Sequence, residues 1–145
     1  MSQYISIYLT EDHRHCDMLL AQAEELVVEK KFKAAIVAIE EFSKAMFDHL
    51  EREELILFPA FEERTGMTEG PTQMMRVEHN QMRQLLEQIK EAIVSENEKK
   101  FFGLSETLLI FVQQHNSKEE QMLYQMADKQ LGDISADIVE RMRDI

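Results

Sequence analysis

Cysteine is close to absent from this chain of 145 residues. Cys16 is the only one, which excludes an internal disulfide and an iron–sulfur cluster held by four thiolates. Helix breakers are scarce as well: four glycines and two prolines leave few places where a helix must stop. No stretch approaches ~20 uninterrupted apolar residues, so no segment reads as a membrane span. The opening residues MSQYISIYLTEDH hold no basic region followed by an apolar run, hence no signal peptide, and a cytoplasmic location is expected. Positive charge is short too. Sixteen Lys and Arg face 28 Asp and Glu, a net charge of −12, which disfavours nucleic acid and anionic lipid as partners, both being polyanions.

What is present points to helices. Hydrophobic residues make up 44% and charged residues 30%, the balance of a globular chain rather than a disordered one, and Glu, Lys, Gln, Leu, Met and Ala predominate. Turn signals fall at ERTGMTEGPT (63–72), where Pro71 or Thr72 can open a helix, and more weakly near Glu29–Lys31 and Ser95–Asn97. Four helical stretches follow, roughly 4–29, 32–64, 71–95 and 98–131, with a short amphipathic tail at 133–145. Leu19, Leu20, Ala23, Leu26 and Val27 recur at helical spacing in the first, and Leu85, Leu86, Ile89 and Ile93 in the third. Short connections between long amphipathic helices make neighbours antiparallel. The expected architecture is therefore all-α, an up-down-up-down four-helix bundle in one domain, 1–145. Pro59, inside the second stretch, is expected to kink or loosen its final turns.

The most informative feature is an internal repeat. Shifted by 66 residues, the chain lies over itself without a gap: Asp12-His13 on Glu78-His79, Leu19-Leu20 on Leu85-Leu86, and HLEREELILFPAFEERTG (49–66) on HNSKEEQMLYQMADKQLG (115–132). Four of the five histidines pair at this one offset. The bundle thus reads as two similar hairpins, 1–66 and 67–132, each supplying the same chemical groups.

In each hairpin the first helix brings one His and the second brings His-x-x-x-Glu. Residues four apart share a helix face, so His49 points with Glu53 and His115 with Glu119. The surroundings make that face the inner one: Met46, Ile56, Val112 and Met122 lie near these stripes, and Leu9, Leu20, Met75, Met82 and Leu86 flank His13 and His79. An inward carboxylate among apolar residues needs a cation or a partner. Four imidazoles and two carboxylates suffice for two ions, each with two His and a share in two bridging Glu, with positions left open. Nitrogen and oxygen donors without thiolate suit Fe, Mn, Zn or Ni and not Cu(I). A closed structural zinc site favours Cys, and His and Glu facing inward from a bundle is the di-iron and di-manganese arrangement, so iron is the expected ion. Glu54 and Glu120 sit about 100° round the helix and are expected to be solvated or salt-bridged. His15 should point away from the His13 stripe, Cys16 should be a small core residue, and the ten Met flexible core filler.

These residues carry a family resemblance over nearly the whole chain. TEDHRHCDMLLAQAEE resembles the opening helix of the hemerythrin-like (HHE cation-binding) family, HLEREELILFP its HxxxEExxLFP signature, EHNQMRQLL its third-helix motif and HNSKEEQMLY its fourth. The resemblance implies an antiparallel four-helix bundle with a non-haem di-iron centre, bridged by oxo or carboxylate groups, and His13, His49, Glu53, His79, His115 and Glu119 fall on the family's ligand positions. The chain departs from the five-histidine oxygen carriers, since Arg83 stands four places after His79 and the fourth helix reads HxxxE. Four His with two Glu is closer to the di-iron domain of the iron–sulfur cluster repair proteins. The implied ligand is O2, NO or peroxide, with turnover as an NO or peroxide reductase, or a role as sensor, carrier or iron-handling module, as the alternatives.

Overall fold

The computed structural model describes residues 4–145, and every regular element among them is helical. Residues 1–3, at the head of the first expected hairpin, lie outside the described residues. Helix α1 (Ile5–Val28) pairs with a second rod made of α2 (Phe32–Glu51), a π-helical turn (Arg52–Leu57) and α3 (Phe58–Thr65). The second hairpin repeats the plan with α4 (Pro71–Val94), α5 (Glu98–Lys118), a π-helical turn (Glu119–Leu123) and α6 (Tyr124–Gln130). Four antiparallel rods result, as the spacing predicts. None of these helices is long and apolar enough to cross a membrane.

Both hairpins turn through one device, without glycine. Lys30 and Glu96, again 66 residues apart, adopt left-handed φ of 59° and 55°, and the N–H groups of Lys31 and Asn97 reach back to the Leu26 and Ala92 carbonyls, each at 2.9 Å. These bonds satisfy carbonyls that a helix end would otherwise leave bare. The Asn97 side chain then accepts from the Lys100 N–H at 3.1 Å and caps α5. Between hairpins, Gly66 takes φ 74° to end α3, and Pro71 opens α4 at a position whose N–H needs no helical partner.

The two π turns are absent from the expectation of continuous second and fourth helices. In each, an N–H donates five residues back, Phe58 to the Glu53 carbonyl and Tyr124 to the Glu119 carbonyl, so one extra residue is accommodated and everything downstream is rotated. Pro59 therefore does not break its rod. It follows a wide turn, with α3 continuing behind it. Nor does it cause that turn, because the second copy has the same turn with Gln125 in its place. There Gln125 Nε2 donates to the Glu120 carbonyl at 3.1 Å, bonding that backbone oxygen from the side chain.

The core is in two parts. One apolar cluster, built on Leu20, Val27, Ile39, Phe42, Leu86 and Phe101, fills the end with the hairpin turns. The other, built on Leu9, Leu57, Phe61, Tyr124 and Ile138, fills the opposite end. The tail, through a 3-10 turn (Gly132–Ile134) and α7 (Ser135–Arg143), closes that second end, burying Ile138, Val139 and Met142. Arg52 Nε donates to the Met142 carbonyl at 2.9 Å and ties the tail to the first π turn. Between the two apolar clusters runs a buried layer of His and Glu.

Candidate metal centre

All six residues singled out by spacing meet in that layer. His13, His49, Glu53, His79, His115 and Glu119 are each no more than 4% exposed. Each glutamate touches the histidine one turn before it and the first-helix histidine of the other hairpin. Glu53 Oε1 lies 3.4 Å from His49 Nε2 and 3.1 Å from His79 Nε2. Glu119 Oε1 lies 3.2 Å from His115 Nε2 and 3.1 Å from His13 Nε2. Donor atoms of Glu53, His79, His115 and Glu119 all fall within 4.8 Å of one another, and so do those of His13, His49 and Glu119.

The far side of every imidazole is held by a carboxylate. His49 Nδ1 donates to Asp12 at 2.8 Å, His115 Nδ1 to Glu78 at 2.7 Å, His79 Nδ1 to Glu54 at 2.6 Å and His13 Nδ1 to Glu120 at 2.7 Å. Because an ionised carboxylate only accepts, Nδ1 donates to it and Nε2 is the nitrogen turned inward, the orientation a metal-binding imidazole requires. Three of the four carboxylates have a cation behind them: Arg52 on Asp12 at 2.9 Å, Lys118 on Glu78, and Arg83 on Glu54 at 2.7 Å. Glu120 has Asp17 as its neighbour where Glu54 has Arg83. All these contacts except that last one obey the 66-residue offset.

The electrostatics favour positive charge at the centre. Burial alone would strip His49 of a second proton, yet the carboxylates of Glu53 and Asp12 raise its pKa to about 10. His79 is raised to about 11 against the same opposition, by Glu119, Glu53 and Glu54. Burial likewise works against Glu54, but the bonds from His79 and Arg83 hold it down at about 2. A field that favours a proton between these atoms favours a metal cation there too. The direct test of fit is polar satisfaction. Among the described residues, the buried side-chain nitrogen and oxygen atoms without a hydrogen-bond partner are His49 Nε2, Glu53 Oε1, His79 Nε2, His115 Nε2 and Glu119 Oε2. All five belong to the six converging residues and face the interior of the cluster. Left alone, such atoms are costly; a cation bound among nitrogen and oxygen donors would satisfy them together.

Two aromatic residues of the second apolar cluster stack on the layer. Phe58 stacks on His79 with centroids 5.6 Å apart, and Tyr124, its counterpart at the 66-residue offset, stacks on His13 at 5.5 Å. The Tyr124 hydroxyl enters the layer itself, donating to Glu53 Oε2 at 2.7 Å and lying 3.0 Å from Glu119 Oε1 and 3.1 Å from His13 Nε2. Burial and the two carboxylates raise its pKa well above the usual phenol value.

Other expectations fare unevenly. His15 is exposed and turned from the cluster. Cys16 belongs to the first apolar cluster, its thiol pushed up to about 12 by burial and nearby Asp12. Met46, Ile56 and Val112 are buried, but Met122 is 55% exposed. Helical spacing puts Met122 on the face of Glu119. Its counterpart Ile56 lies in the matching π turn and is buried, because α7 packs against the first π turn, whereas α7 does not pack on the second in this way. Beyond each π turn, Phe58 and Tyr124 come inward. Glu54 and Glu120 are salt-bridged, as expected, Glu54 to Arg83 and His79 and Glu120 to His13, and each thereby orients a histidine of the other hairpin. The repeat had paired both residues. Which helix each one faces depends on packing that helical spacing does not encode.

Comparison with curated proteins returned no match, and comparison with solved structures returned none either. The family model for the hemerythrin HHE cation-binding domain, however, matches residues 5–127, which takes in both hairpins and every residue of the buried His and Glu layer. With an all-α bundle and this cluster of His and Glu, the chain belongs to the hemerythrin HHE cation-binding family.

Proposed function

We propose that this protein holds two iron ions, His13 and His49 on one, His79 and His115 on the other, with Glu53 and Glu119 shared between them. The observation that carries the reading is the set of five buried atoms without a hydrogen-bond partner, all on these residues. Each glutamate contacts histidines of both hairpins, as a shared ligand must. The four outer carboxylates keep each Nε2 aimed, and raise the basicity of the imidazoles they hold. Iron, when bound, supplies one-electron chemistry and open positions for a small ligand.

On this reading the protein acts in the cytoplasm on O2, NO or peroxide, in oxidative or nitrosative stress. Phe58, Leu57, Leu123 and the apolar clusters above and below bury the layer away from bulk water. Metal analysis of protein produced with ample iron should return about two ions per chain, because the ligand set is duplicated. Stopped-flow mixing of the anaerobic ferrous protein with O2, NO and peroxide then separates roles. Rapid consumption with turnover identifies an enzyme, and reversible binding without turnover identifies a carrier or sensor. One tightly held ion, or none, would sink the dinuclear reading.

A further inference from the structure

The polar group in the layer that belongs to no His or Glu is the Tyr124 hydroxyl. Metal bonds to nitrogen and oxygen donors run about 2.0–2.2 Å, so two donors at right angles on one ion sit about 3 Å apart. The phenolic oxygen lies 2.7, 3.0 and 3.1 Å from Glu53 Oε2, Glu119 Oε1 and His13 Nε2. Those are the spacings of neighbours around one ion. Its partners are all proposed ligand atoms, and His13 Nε2 cannot serve both a metal and the phenol. Yet the side chain is fully buried, with the ring fixed against His13 at an interplanar angle of 26°, so its oxygen must keep some partner. Two carboxylates also neutralise only part of the charge on two di- or trivalent ions in a layer shut off from water.

Resting on the di-iron reading above, we infer that the Tyr124 oxygen is a seventh protein ligand, bound to the ion held by His13 and His49. Tyr124 thereby breaks the equivalence of the two halves. The corresponding position in the other half is Phe58, which stacks on His79 and offers no donor. Phe58, with no donor, would leave to a small ligand the position that Tyr124 would fill on the other ion.

A ferric phenolate has a visible charge-transfer band, and excitation in it enhances tyrosine ring modes in the resonance Raman spectrum. The experiment takes the full-length protein oxidised to the ferric state, with iron content measured first. The expected result is that band with enhanced ring modes, shifting when ring-deuterated tyrosine is incorporated, and lost in Tyr124→Phe when spectra are normalised to the iron bound. The isotope shift is read in the unaltered protein and does not depend on the variant folding. Two bound irons without enhanced tyrosine modes would overturn the inference and leave the di-iron reading standing, with the phenol a hydrogen-bond donor only. A band that survives in Tyr124→Phe would assign it to Tyr4 or Tyr8 and overturn it as well. Absence of bound iron would overturn both.

Discussion

The outer carboxylates give the sharpest quantitative test, because helical spacing alone would make them silent. Glu54→Ala removes the acceptor for His79 Nδ1 and leaves that N–H inside a residue with no exposure, while Arg83 loses its two-pronged partner. An unsatisfied buried donor costs about 1–3 kcal/mol, which at 1.4 kcal/mol per decade is roughly five- to 150-fold in affinity. Removal of such a carboxylate behind a metal-binding histidine falls in the same range, about 10–100-fold. Glu54→Ala should sit at the upper end, since nothing can replace the lost bond. Glu120 is at the rim, 36% exposed, with no cation behind it among the described residues, and water can take its place on His13. Glu120→Ala should therefore weaken iron by only about five- to tenfold. The assay is anaerobic ferrous titration against a competing chelator, with circular dichroism as the check on helix content. Unchanged affinity in both variants would refute the orienting role. A larger loss from Glu120→Ala than from Glu54→Ala would refute the ranking by burial.

Glu53→Ala and Glu119→Ala should lower iron occupancy by comparable amounts, and the double variant should nearly abolish it; a large disparity between the single variants, read by metal analysis, would end the argument from the repeat. His15→Ala should leave iron content and the visible spectrum unchanged, because His15 is exposed and off the ligand stripe; loss of iron would mean the wrong histidine was chosen on α1. The Arg76 guanidinium, helped by Thr72 and opposed by burial, holds the Glu62 carboxyl below its ordinary value. A depressed carboxyl contributes stability above its unfolded pKa, roughly 4.3, and loses it as pH falls through the folded value. Glu62→Gln should thus lower Tm at about pH 6 and lose that effect progressively below about pH 4; an effect independent of pH would show that packing, not charge, was removed.

Much of this was legible in the sequence because an α-helix converts spacing into direction. His49 and Glu53, four apart, had to share a face, and so did His115 and Glu119. Pairing of four histidines at one offset located the remaining members of the buried cluster without any contact information. Legibility stopped at the π turns. Up to Glu53 and Glu119 the ordinary period holds, so the spacing brings the six buried His and Glu together; beyond them one added residue rotates the helix and carries Tyr124 inward, which the spacing does not predict. Met122 stays exposed because α7 packs on the first π turn and not in the same way on the second. The roles of Asp12, Glu54, Glu78 and Glu120 were hidden for a different reason. Each bonds a histidine on another helix, and the distance between helices is set by packing.

Two of those bonds cross between the hairpins in opposite directions: Glu54 of the first half steadies His79 of the second, and Glu120 of the second steadies His13 of the first. Each glutamate of the inner layer spans the same divide. The halves are therefore buckled together, and neither carries a finished pocket alone. Prising them apart by even one bond length undoes both ends of the buckle at once. Any ion gripped there resists that opening, adding RT ln(1 + [L]/Kd) to the work of unfolding. Occupancy and cohesion become one quantity, and the melting curve of the bundle is a gauge of how much metal it holds.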